Sequence, residues 1–70
     1  MGNMELLREF IDRSGISLTN LAKKLNITYV ALNNKLQGKY AFTLDEALLL
    51  KKVLGLTQNE WNAVFDEEAN

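Results

Sequence analysis

Helix punctuation constrains this chain more than anything else in it. Asn3, Ser17, Thr28, Thr43 and Thr57 stand where helices can begin. Each can offer a side-chain oxygen to a backbone N–H two or three residues on, a donor that the helix itself leaves unpaired. Gly15, Asn26, Gly38 and Gly55 follow the runs so opened. They sit where a left-handed residue stops a helix, a conformation glycine adopts most cheaply and asparagine next. Two of the openings are reinforced. Thr43 with Glu46, and Thr57 with Glu60, have the spacing of a capping box, and Leu56 is placed to staple to Trp61 across the second. The spacing predicts five short helices, over residues 4–14, 18–25, 29–37, 44–54 and 58–66, and no strand.

Apolar positions agree with that division. Leu6, Leu7, Phe10 and Ile11 make one stripe at helical spacing on the first helix. The second is expected to bury Leu18, Leu21, Ala22 and Leu25, and the third Leu32 and Leu36 with Ala31 in part. The fourth is expected to bury Ala47, Leu48, Leu50 and Leu54, and the fifth Trp61, Val64 and Phe65. Ile16 with Leu21, and Ile27 with Leu32, are spaced to lock the starts of the second and third helices. Ala22 is small because those two helices cross there. At 70 residues the chain has room for one domain, which buries roughly 60% of its surface. The expected architecture is an all-α, compact five-helix domain over residues 1–66, with an acidic tail, 67–70, that frays.

Several function classes are disfavoured. The chain has no cysteine and no histidine, hence no disulfide, no thiolate metal site and no imidazole shuttle. Serine and threonine have no histidine to activate them, and no glycine-rich phosphate loop is present, so an enzyme is not expected. Neither a cofactor nor a metal nor a small-molecule substrate is implied; the acidic cluster Asp66, Glu67 and Glu68 reads as a solvated tail. No apolar run approaches the roughly 18 residues of a membrane span, and the first ten residues lack the pattern of a signal peptide. The expectation is a soluble, cytoplasmic protein without a membrane partner.

Net charge is −1, but it is not evenly spread. Residues 13–52 carry Arg13, Lys23, Lys24, Lys35, Lys39, Lys51 and Lys52 against Asp45 and Glu46, a surplus of +5 between acidic ends. Such a centre suits phosphate if the ends face away from it. The plainer reading is a helical domain whose charges sort unevenly, with Lys23 and Lys24 on a solvated face.

Residues 17–37, SLTNLAKKLNITYVALNNKLQ, have the form of a helix-turn-helix, whose second helix is built to enter a DNA major groove. The Leu21-Ala22 pair, Leu25-Asn26-Ile27 at the turn, Leu32, and the Leu36-Gln37-Gly38-Lys39 exit resemble the DNA-binding domain of phage repressors of the lambda type and their Cro proteins. The segment LNNKLQGKYAFTLDEA, residues 32–47, closely resembles a subgroup of small phage-associated regulators from Gram-positive bacteria. The resemblance covers nearly the whole chain.

It implies a sequence-specific transcriptional regulator of double-stranded DNA, nucleoid-associated when bound. It also implies a homodimer, formed freely or only on the operator. By resemblance, Tyr29, Val30, Asn33, Asn34 and Gln37 face bases, and Thr19, Thr28, Lys35, Lys39 and Tyr40 meet the backbone. Trp61 and Phe65 are the candidate dimer contact, with closure of the core as their plainer role. This chain departs from the family at Leu18, where glutamine is common, and at Asn26, usually glycine. No arginine or lysine stands among the base-facing residues, so the bidentate cation on guanine is missing from them. Asparagine can instead bridge N6 and N7 of adenine, and valine can pack on a thymine methyl, which points to an A·T-leaning half-site. The alternative is a protein-interaction module on the same fold, with DNA binding weak or lost and Tyr29, Val30 and the acidic tail meeting a partner.

Overall fold

In a computed structural model, which describes residues 3–65, the expected punctuation sets the helix boundaries. The Asn3 side chain accepts the Leu6 N–H at 3.1 Å and opens α1, Met4–Ser14. Ser17 accepts from Asn20 at 3.1 Å and opens α2, Leu18–Lys24. Thr28 accepts from Ala31 at 3.0 Å and opens α3, Tyr29–Leu36. Both capping boxes form: the Thr43 and Thr57 hydroxyls accept from Glu46 and Glu60, whose carboxylates accept the Thr43 and Thr57 N–H groups at 2.9 Å each. They open α4, Leu44–Leu54, and α5, Gln58–Phe65. Each such cap contributes about 1 kcal/mol, a real share of stability in a domain this small.

The stops are also in place. Gly15, Gly38 and Gly55 have positive φ, and Asn26, at φ 59°, is the non-glycine residue that shares it among the described residues. α2 and α3 each end one residue before the sequence suggests. Leu25 and Gln37 stand as caps, their N–H groups still bonded back to Leu21 and Asn33. Terminal turns tighten in this way. The expected end of α5 at Asp66 and the tail, 67–70, lie outside the described residues.

All five helices send side chains to one core. Leu7 from α1, Leu21 from α2, Leu32 and Leu36 from α3, Leu50 from α4 and Val64 from α5 are fully buried. Leu6, Phe10, Leu18, Leu54 and Phe65 pack around them as partly buried neighbours. α1 touches α3, α4 and α5, while α2 packs on α3 and α4. α1 and α5 are antiparallel and joined at both ends. The Asn3 N–H donates to the Val64 carbonyl at 2.6 Å, and Arg13 reaches Glu60 at 3.0 Å.

One expected core position is corrected. Leu48 is not inside; it is 48% exposed. α4 carries leucine on nearly every side, and periodicity alone does not choose among them. The core takes Ala47 and Leu50, which leaves Leu44, Leu48 and Leu49 facing outward. Among the described residues there is no strand, and no helix is long and apolar enough to cross a membrane.

Candidate nucleic-acid interface

The junction of α2 and α3 is fixed by backbone hydrogen bonds. With Asn26 in the left-handed region, its N–H bonds the Lys23 carbonyl at 3.1 Å and the Ile27 N–H bonds the Ala22 carbonyl at 3.0 Å. Those two bonds form a Schellman motif, which satisfies carbonyls the helix end leaves open. Thr28 then caps α3 directly, so the connection from Leu25 to Thr28 has no slack. Ala22, 3% exposed, sits at the helix that packs most closely on α3, where a larger side chain would hold the pair apart. The two short helices are therefore held as a helix-turn-helix-like pair. The far end of α3 closes the same way, Gly38 N–H on the Lys35 carbonyl and Lys39 N–H on the Asn34 carbonyl.

α3 divides cleanly by exposure. Leu32 and Leu36 anchor it in the core. Tyr29, Val30 and Gln37 are exposed, with Tyr29 and Val30 half or more open to solvent. Asn33 and Asn34 are half-buried along its length. Thr19, Lys39 and Tyr40 are exposed at the neighbouring ends of α2 and of the link after α3. The Thr28 hydroxyl, already accepting from Ala31, keeps a proton to donate.

Lys35 is placed differently from its neighbours. Its side chain is largely enclosed, and its ammonium donates to Glu46 Oε1 at 2.5 Å, across from α3 to the first turn of α4. It also stands 5.8 Å from the Phe42 ring centroid. Glu46 thus does two things at once, closing the Thr43 capping box and holding Lys35. Burial alone would push its carboxyl upward, but the Lys35 ammonium and the Thr43 N–H together hold it below the ordinary glutamate value. Glu60 is lowered as well, by the Thr57 N–H first and the Arg13 guanidinium second. The capping role of Glu46 is readable from Thr43 three residues before it. Its hold on Lys35, eleven residues away across a link, has no local signature.

Trp61 and Phe65 lie together beside Phe42 and α4. The Trp61 indole N–H donates to the Ala47 carbonyl at 2.8 Å. Phe65 meets Trp61 at 5.5 Å and Phe42 edge-on at 6.0 Å between ring centroids. Both are half-buried and tie α5 to α4 and to the link before it. Among the described residues no group of histidine, cysteine or carboxylate side chains is arranged to hold a metal.

No family model matches the chain, and no curated protein or solved structure matches it either. The described residues form a five-helix all-α domain with α2 and α3 in close contact, and its resemblance to other proteins is carried by residues alone.

Proposed function

We propose that this chain is a lambda-repressor-like, sequence-specific DNA-binding regulator of phage or prophage type, acting by occupying an operator with α3 in the major groove. One observation carries the reading. α3 is fixed at both ends and anchored by Leu32 and Leu36, yet presents Tyr29, Val30 and Gln37 to solvent, with Asn33 and Asn34 beside them. A short rigid helix with polar and small apolar side chains outward is what base-edge contact requires. In this reading Asn33 or Asn34 bonds adenine, Val30 packs on a thymine methyl, and Thr19, Thr28, Lys39 and Tyr40 meet phosphates. Lys35, the remaining backbone candidate, reaches a phosphate only by leaving Glu46. Two copies on half-sites about 34 Å apart would supply the affinity one small domain lacks. The chain is not proposed to be an enzyme.

The test is duplex binding across a salt series. Affinity should fall with a log–log slope of about −0.9 per phosphate neutralised. In vitro selection should return A·T-rich half-sites; G·C-rich ones would refute the base assignments. A second reading rests on the engaged Lys35 and the exposure of Tyr29 and Val30: α3 as a face for another protein. Binding to a protein partner, with no salt-dependent binding to DNA, would favour it.

A further inference from the structure

The outward side of α4 is the most apolar exposed helix face described, and nothing in the DNA reading uses it. Leu44, Leu48 and Leu49 are 67%, 48% and 36% exposed. Asp45, Leu48, Leu49 and Lys52 together line one shallow surface depression. At about 100° per residue, Leu44, Asp45, Leu48, Leu49 and Lys52 fall within an arc of about 140°. Around that arc they stand in the order Leu44, Leu48, Lys52, Asp45 and Leu49, with Asp45 and Lys52 one heptad and about 10.5 Å apart along the axis.

We propose that this face pairs with the same face of a second copy, α4 antiparallel to α4 about a two-fold axis between Leu48 and Leu49. The charges select both the occupant and its direction. Reversing one copy sets Asp45 opposite Lys52 of its partner, and the symmetry repeats the pair at the other end, while Leu48 and Leu49 meet at the axis. A parallel pairing would set Asp45 on Asp45 and Lys52 on Lys52, which is repulsive. The patch is self-complementary, as a two-fold interface must be. Trp61 and Phe65, the other candidate surface, already spend part of their area within the domain, the indole N–H on the Ala47 carbonyl and the rings on each other and on Phe42.

One helix face covers less than the roughly 800 Å² per partner of a stable interface, so the dimer is weak and concentration-dependent. Two copies held on neighbouring half-sites would meet at millimolar effective concentration and complete it there. The proposal deepens the operator reading by naming the dimer surface, but its test contains no DNA, so either can fail alone.

The test is sedimentation equilibrium of the full chain from about 10 μM to about 1 mM, a range that brackets weak dissociation constants. Wild type should show a reversible monomer–dimer equilibrium. Asp45→Lys and Lys52→Asp should each weaken it about tenfold, two pairs turning repulsive at once. An equimolar mixture of the two variants should associate again, and the double exchange in one chain should restore the homodimer. Leu48→Lys should be monomeric and fold normally, since the position is open. Monomer throughout, a dimer indifferent to all three single changes, or failure of the mixture to associate would overturn the proposal.

Discussion

Lys35 and Thr43 share one oxygen: the ammonium and the backbone N–H both donate to Glu46 Oε1, at 2.5 and 2.9 Å. Through that atom the end of α3 is tied to the start of α4. The carboxylate that opens one helix also sets the direction of a cation on the other.

Acid should loosen this tie. The folded pKa of Glu46 is held down against burial by Lys35 and Thr43, so it lies below the ordinary glutamate value of the unfolded chain. The stabilisation is complete above the unfolded value and is lost as pH falls through the lower folded one. At pH 7, Glu46→Gln should cost about 1–2 kcal/mol, because Lys35 keeps its enclosure without its partner. Thermal unfolding of the two proteins across pH should show the gap closing in acid.

Asn26→Ala should cost about 1 kcal/mol, because alanine lacks the short polar side chain that lets asparagine tolerate the left-handed region at φ 59°. Asn26→Gly should lie within about 0.5 kcal/mol of wild type, relief of strain being offset by freedom in the unfolded chain. Urea unfolding measures both.

Trp61→Phe should cost about 1 kcal/mol in the same measurement, since it keeps a ring beside Phe65 but removes the donor to the Ala47 carbonyl. With self-association on the α4 face, the association constant should not change.

Leu32→Ala should be among the most damaging single changes, about 3–5 kcal/mol, because the side chain is fully buried where α3 meets the core. A domain of this size has about that much to lose, so loss of the cooperative transition by circular dichroism is the expected result.

Local chemistry was legible in the residues, and long-range choice was not. Every cap at Asn3, Ser17, Thr28, Thr43 and Thr57 depends on a partner three residues away, so spacing alone predicts it. The left-handed turn at Asn26 is equally local. α4 is where periodicity gives no direction, with leucine at 44, 48, 49, 50 and 54, and there Leu48 turns out rather than in. The pairs Lys35–Glu46 and Arg13–Glu60, eleven and 47 residues apart, exist only once the helices are packed. The enclosure of Lys35 is therefore the feature of the candidate site that its neighbours in sequence do not announce.

If α3 reads DNA, titration with a short duplex at low salt perturbs amide chemical shifts mainly in residues 28–37, with Thr19 and its neighbours at the start of α2, while the Trp61 indole resonance stays still. No shift at low salt, or shifts that avoid α3, would contradict it.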